Sequence, residues 1–479
     1  MFIKDTYITD LLRRNAAERA KQAAVVFEGK QINWTELWRE VELTAPYFSH
    51  KLSNQQQEVA AILLPNSIEF IVAYLSILHA GHIALLLDPA YKKLEQEAII
   101  KNLGVKLIIT DRDYRQHVAR TEAEIVYIDD LSDNTPPEKY LRLPPHEQVA
   151  SLTFTSGTTG TPKAVPNTHT NHLWNIKVCS QVWDWTPADT LLVSVPLSHM
   201  LGVVMGLSGA LYHGNTIYLH RWFDEEEILK VLSSGKVSFF SHAASAYVKL
   251  VASPDKGYDL SKVRLCVSGG APLPPAVWEE FKDRYNIEIL ETYGTSETGR
   301  IAGNRLNKRV LGSPGQPLPE VKLRIGQHGE VEVKSPGLFP GYYKNPEATK
   351  AALTTDGFWR TGDIGELRDG YVYLKGRVQE RIRRFGYTIS PRDVEWALHQ
   401  LPEVKDIYVM GRQRNDQPND ELIYFIVTDL DDEVINDFCK KNLLFAWRPD
   451  KIVHLDELPR TRSGKTRIGT LRQMVSGAA

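Results

Sequence analysis

Cysteine is scarce in this 479-residue chain: only Cys179, Cys266 and Cys439 occur, far apart. They offer neither zinc-ligand spacing nor a disulfide framework, and a reducing, cytoplasmic setting is expected. An excess of charge of either sign is also missing, since 57 Lys and Arg face 59 Asp and Glu and leave a net charge of −2. That balance supplies no basic field for nucleic acid, and a 42% hydrophobic content excludes a disordered chain. The longest apolar run, Met200 to Tyr212, is too short and too glycine-rich to span a bilayer. Lys4, Asp5 and Asp10 stand where a secretory leader would need an apolar stretch, so neither an export signal nor a membrane span is expected. Repeats and low-complexity tracts are absent as well.

What is present first is alternation. Helix-like Ile8–Ala20 and Thr35–Phe48, the latter with Thr35 as candidate N-cap, flank a strand-like Ala24–Phe27. Strand patterns at Val59–Leu64, Ile83–Leu87 and Lys106–Thr110 then alternate with helix patterns at Ser67–His79 and Lys93–Leu103. Such alternation predicts parallel βαβ units with helices covering the sheet. His79 and His82 lack a local carboxylate or cysteine partner and read as loop or core histidines. The Pro- and acid-rich stretch from Asp129 to Glu147 reads as a surface connection.

It leads to the most informative stretch, Ser151 to Val165, S-L-T-F-T-S-G-T-T-G-T-P-K-A-V. A short β-prone run enters a loop of Thr155, Ser156, Thr158, Thr159 and Thr161, turned by Gly157 and Gly160 and closed by Lys163. Backbone N–H groups freed by glycine, hydroxyl donors and one mobile ammonium suit a polyphosphate. A Walker loop is excluded, because Lys163 follows Pro162 and precedes Ala164. Gly464-Lys465-Thr466 fails the same test, with Pro459 where the first glycine belongs.

The order S-G-T-T-G-T-P-K resembles the phosphate loop of the adenylate-forming superfamily, which comprises acyl-CoA synthetases, peptide-synthetase adenylation domains and firefly-type luciferases. Further matches follow in family order from about Ala150 to the end. His199 in P-L-S-H-M-L-G resembles the segment bordering the acyl pocket, and His242 precedes small residues that line the pocket in the family or merely start a packed helix. S-G-G-A-P-L resembles the adenine slot, which would use Gly269, Gly270 and Ala271, with Gly270 also bordering the acyl group. In E-T-Y-G-T-S-E-T-G, Tyr293 would stack on adenine and Glu291 would accept from its amino group. Gly294 and Thr295 shape the same nucleotide segment, Ser296 would donate to the α-phosphate, and Glu297 would hold Mg2+. Arg300 is left open between an anionic substrate, a phosphate and solvent.

Asp363 in W-R-T-G-D resembles the aspartate that takes both ribose hydroxyls, and Arg377 would contact ribose or phosphate. Gln379 occupies the hinge position, where aspartate or lysine is usual. Gly386 resembles the glycine that opens the pantetheine tunnel, with Arg381, Arg383 and Arg384 either near a CoA phosphate or on a solvated face. Lys465 in P-R-T-R-S-G-K resembles the adenylation lysine.

The resemblance implies an α/β fold with a large N-terminal domain of βαβ-rich sheets flanked by helices, residues 1–376. A small mobile α+β domain, residues 377–479, would follow. It implies an AMP-forming carboxylate–CoA ligase using ATP, Mg2+ and coenzyme A, with Lys465, Ser296 and Glu297 as the catalytic set. No acidic residue occurs between Leu197 and Leu219, which argues against an amino-acid substrate, and no long insertion precedes the hinge. An aromatic or medium- to long-chain aliphatic acid is expected, with a dicarboxylate left open. The alternatives are an enzyme that loads a carrier-protein thiol and a nucleotide binder without turnover.

Overall fold

A computed structural model describes residues 5–89, 91, 93–118, 120–131, 139–154, 163–385, 387–413, 419–461 and 464–476. In chain order the first strands are β1 (Ala23–Phe27), β2 (Lys30–Asn33), β3 (Val59–Ile62), β4 (Ile83–Leu86), β5 (Val105–Thr110), β6 (Glu124–Tyr127), β7 (Val149–Phe154) and β8 (Ala164–Thr168). They continue with β9 (Thr190–Val193), β10 (Thr216–Leu219), β11 (Phe239–Ala243), β12 (Leu265–Gly269), β13 (Ile289–Thr295), β14 (Gly299–Gly303) and β15 (Gln316–Pro317). Among the described residues they form a six-stranded sheet, β6-β5-β3-β4-β7-β8, and a nine-stranded one, β15-β14-β13-β12-β11-β9-β10-β1-β2.

Short apolar strands explain the parallel pairing. V-A-A-I of β3 is buried along its whole length and pairs in parallel with β4 and β5, as expected where helices cover both faces. The crossovers are the helices Ile68–Ala80 and Lys93–Leu103. The first is capped by Ser67, whose hydroxyl accepts from Phe70 N–H at 3.1 Å. One apolar cluster joins the facing sides of both sheets through the helices Ile8–Glu18, Ile68–Ala80 and His169–Trp183. The helix expected from Thr35 instead spans Trp34–Lys51 and is capped by Asn33 in a capping box with Glu36. His82 is a buried core histidine: its Nδ1 accepts from Glu58 N–H, and burial lowers its pKa to about 4. All three cysteines are free and buried, and no helix among the described residues is long and apolar enough to cross a membrane.

Beyond the two sheets lies a four-stranded antiparallel sheet, β16 (Lys322–Ile325), β17 (Glu330–Lys334), β18 (Trp359–Arg368) and β19 (Tyr371–Arg377). The chain then forms a small α+β domain with its own apolar clusters. Its three-stranded sheet comprises Val404–Arg412, Glu421–Thr428 and Lys451–His454, packed by the helices Pro391–Leu398, Asp432–Asn442 and Ile468–Ser476. The large α/β part and this small C-terminal part are the architecture expected from the sequence.

One side chain fixes the junction of the two main sheets. Asn66, just after β3, donates to the carbonyls of Val195 and His220, each at 3.0 Å, and accepts from Leu197 N–H at 2.7 Å. It therefore holds the segment that carries His199. That segment runs into a π-helical stretch, Leu201–Ser208, where a Cβ on Gly202 would lie 2.3 Å from the Pro196 carbonyl oxygen. The apolar run Met200–Tyr212 is thus a tightly packed wall of the core. Asn66→Ala removes the partner of two buried and one half-buried backbone groups and is expected to lower stability by about 2–4 kcal/mol, read from urea unfolding. An unchanged midpoint would remove Asn66 from this role.

Candidate active site

The cleft is built at the ends of strands, where open α/β sheets present their ligand-binding groups. The phosphate-loop residues Thr155, Ser156, Gly157, Thr158, Thr159 and Gly160 lie outside the described residues, as does Gly386. The flanks of that loop are described, and they differ from a Walker loop. Phe154 pairs with Ala164 in the antiparallel β7–β8 ladder, so the loop returns into a strand before the helix at His169 begins. Lys163, at its exit, sits with Nζ 4.9 Å above the ring of Tyr342.

Tyr342 connects that lysine to the next element. Its hydroxyl donates to Glu297 Oε1 at 2.8 Å, while the Glu297 carbonyl accepts from Phe339 N–H. Glu297 stands on the turn between β13 and β14, shaped by Thr295 and Thr298, whose hydroxyls lie 3.0 Å apart and accept from each other's backbone N–H. Ser296, between them, is half-buried. Gly294 admits the return strand, since a Cβ there would lie 2.2 Å from the Gly299 carbonyl oxygen. Sequence reasoning noted the segment from Gly337 to Tyr343 without giving Tyr342 a task. Its contact with Glu297 spans 45 positions, which no local pattern reveals.

A second group converges on Asp363. The buried hydroxyl of Tyr293 donates to Asp363 Oδ2 at 2.7 Å, and Arg377 Nε lies 3.2 Å from Oδ1. Burial, and then the charge of Asp363, push the Tyr293 phenol well above its ordinary pKa, so it stays a donor. Lys465 reaches the same cleft. Burial and next the Arg377 guanidinium lower its pKa, while Glu297 and Asp363 draw it back up. The lysine keeps an accessible surface, as a group facing into a crevice does.

Its loop docks through Gly464, at φ +82°, where a Cβ would lie 2.3 Å from Ser245 Oγ and 2.6 Å from Ala243 Cβ. Only glycine fits that conformation and that approach. Gln379 lies in the short helical turn Val378–Glu380 directly after β19.

Gly269 ends β12, and Gly270, at φ +81°, faces open space with Ala271 beside it. His199 pairs with Asp88, Nε2 to Oδ2 at 3.1 Å. Three expectations need correction. Glu291 is already engaged: Arg309 donates to it at 2.9 Å and Leu273 N–H at 3.4 Å, and burial raises its pKa to about 7 despite that arginine. His242 turns away from the π-helical stretch. Its ring packs against Phe223 and Phe240, while Ser241, one residue earlier, lines a cavity with Leu201 and Met205. Arg384 is buried and bonded to Asp450 Oδ1 at 2.8 Å, and Arg381 donates to the His328 carbonyl, leaving only Arg383 of that trio exposed.

Comparison with known proteins bears on this arrangement. The family model described as AMP-binding enzyme matches residues 12–343, and the AMP-binding enzyme C-terminal domain matches residues 393–465. The chain belongs to the AMP-binding enzyme family. It is an enzyme of the acyl-CoA synthetase type within the adenylate-forming superfamily. A 2-succinylbenzoate–CoA ligase of Listeria monocytogenes is 30% identical, the alignment covering 97% of this chain and 99% of the relative. The family fold recurs in ATP-bound MatB from Rhodopseudomonas palustris, with a TM-score of 0.89 at 25% identity over 98% of this chain and 99% of that one. MenE from Bacillus subtilis, in complex with the acyl-adenylate OSB-AMP, superposes with a TM-score of 0.82 at 25% identity over 96% and 97% of the two chains.

Tyr342→Phe retains the ring beneath Lys163 but removes the donor to Glu297. It is expected to raise the Mg2+ concentration for half-maximal ATP–pyrophosphate exchange by about 10-fold. An unchanged requirement would show that Glu297 is oriented without it.

Proposed function

We propose that the chain activates a carboxylic acid with ATP and transfers the acyl group to coenzyme A, releasing AMP. The observation that carries this reading is the meeting of Lys465, from the C-terminal part, with Arg377, Asp363 and Glu297 in one cleft. Both reactants of the first step are anions, so the site must neutralise charge and align them. A carboxylate oxygen attacks the α-phosphorus, and the bond to pyrophosphate breaks. Lys465 holds the two anionic reactants together, Ser296 donates to the α-phosphate, and Lys163 with residues 155–160 takes the leaving pyrophosphate.

Asp363 accepts from the ribose hydroxyls with Arg377 alongside, and adenine lies between Tyr293 and the strip Gly269–Ala271. Magnesium fits Glu297, whose carboxylate accepts from a single Tyr342 hydroxyl among the described residues. Mg2+ needs only one or two carboxylates when phosphates and water complete its octahedron. When bound it neutralises charge on the phosphates. Gly270 and His199 border the acyl group, whereas the packing of His242 argues against its sharing that task.

In the second step the thiol of coenzyme A attacks the acyl carbon, loses its proton and expels AMP. That attack needs the lysine withdrawn, and we assign the domain boundary to residues 376/377, the hinge to Gln379 and the thiol tunnel to Gly386. Gly376, at φ +121°, supports such a rotation by giving the backbone freedom at that boundary. The acid belongs to the aromatic or aliphatic class. The 2-succinylbenzoate of the Listeria relative and the long-chain fatty acid of a 27% identical Bacillus subtilis ligase span that range. Three free, buried cysteines accord with a reducing, cytoplasmic setting.

Lys465→Ala is expected to lower acid-dependent ATP–pyrophosphate exchange by about 100-fold or more while sparing thioester formation from supplied acyl-adenylate. Equal loss in both assays would sink the assignment. Asp363→Ala is expected to weaken ATP binding at least about 10-fold by calorimetry, having lost a charge-assisted hydrogen-bond acceptor. Exchange without a CoA thioester, in the presence of CoA, would point instead to a carrier-protein thiol as acceptor.

A further inference from the structure

Buried guanidinium groups in this chain come with carboxylates. Arg309 pairs with Glu291 and Arg384 with Asp450. Arg300 breaks the pattern. Its backbone N–H donates to Asn175 Oδ1 at 2.7 Å, and its side chain runs from β14 back across β13. Nη1 lies 3.1 Å from where a Cβ on Gly269 would stand, next to the Thr292 methyl carbon at 3.2 Å. Gly269 pairs with Ala243 at the ends of β12 and β11, so the guanidinium sits where the parallel strands deliver ligand-binding groups.

The residue is half-buried, as a side chain lining a crevice is. Among the described residues no carboxylate forms an ion pair with it. Burial lowers its pKa, and the one titratable group that opposes this is the Cys179 thiol, which burial itself pushes up to about 12 and keeps neutral. An enclosed cation without a counter-ion is costly, and a protein keeps one where a ligand supplies the anion.

Arg300 also stands electrostatically apart from the cluster that handles the nucleotide. Lys465, Arg377, Glu297 and Asp363 influence one another, whereas none of them contributes to the surroundings of Arg300. Arg300 is thus a second cationic group, set beside the Gly269–Ala271 strip and not among the partners of Lys465.

We propose that Arg300 is a specificity-determining residue that receives a second carboxylate of the substrate, so that the acid is a dicarboxylic acid activated at the end remote from Arg300. This rests on the acid–CoA ligase reading. A planar guanidinium can hold a carboxylate through two parallel N–H donors, and a site built for that contact discriminates strongly against an acid without it.

The test uses the full chain and matched acid pairs, adipate against hexanoate and homophthalate against phenylacetate, followed by ATP–pyrophosphate exchange and by CoA-thioester mass. The wild-type protein is expected to favour the dicarboxylic member of at least one pair by about 100-fold or more in kcat/KM. Arg300→Met should cut that ratio by a similar factor, and Arg300→Lys should restore part of it. A preference of the wild-type protein for the monocarboxylic members overturns the inference and leaves the ligase reading standing, as does an Arg300→Met variant that slows both members equally or raises the KM for ATP about 10-fold. Silence of the wild-type protein on every acid, in exchange and in thioester formation, removes the ligase reading and this inference with it. A wild-type preference for the monocarboxylic members overturns the proposal without any variant, and Arg300→Lys provides a second readout should Arg300→Met fail to fold.

Discussion

Asp363 is the point on which the geometry of the cleft turns. Its nearly buried carboxylate accepts from Tyr293 on β13 of the nine-stranded sheet and faces Arg377 at the end of β19 in the small antiparallel sheet. One anion therefore ties together the main sheet, the sheet beyond it and the start of the segment that leads to Lys465. Breaking this node would leave the phenol and the guanidinium in a low-dielectric setting without their common partner, which costs more than the hydrogen bonds themselves contribute. Charge, more than packing, holds the three parts in register.

The same logic explains how a chain of net charge −2 receives anions. Lys163, Arg377 and Lys465 converge on the cleft, against Glu297 and Asp363. The excess acidic charge sits elsewhere on the molecule. Low-dielectric walls amplify the field of such a cluster, so overall net charge says little about what the cleft attracts.

The fold and much of the cleft were legible because the chemistry sits at strand ends, where glycine, hydroxyl and acidic residues interrupt apolar runs. The helix at Lys93–Leu103 was readable from its period alone. What escaped depends on distant partners or on a one-residue shift. Glu291 looks available until Arg309, 18 positions on, is seen to occupy it. Arg384 reads as part of a surface charge run until Asp450 folds against it. Strand β11 runs to Ala243, and its two-residue period turns His242 to the face opposite Ser241. Asn33 outcompetes Thr35 as helix cap because Glu36 answers it across three residues.

The contact made by Gly464 has a thermodynamic consequence. Gly464 brings bare backbone against Ala243 and Ser245, and polar links cross the same boundary: Arg377 to Asp363 at 3.2 Å, Arg381 to the His328 carbonyl, and Lys375 near Asp393 at 3.4 Å. Half-exposed ion pairs of that kind contribute on the order of 1 kcal/mol or less. If the C-terminal part rotates as proposed, a bound polyanion spanning Lys465 and Arg377 would add to these links and favour the closed orientation. On that reading the nucleotide would be the mortar of the closed cleft, and the loss of pyrophosphate would remove the part of it nearest Lys163.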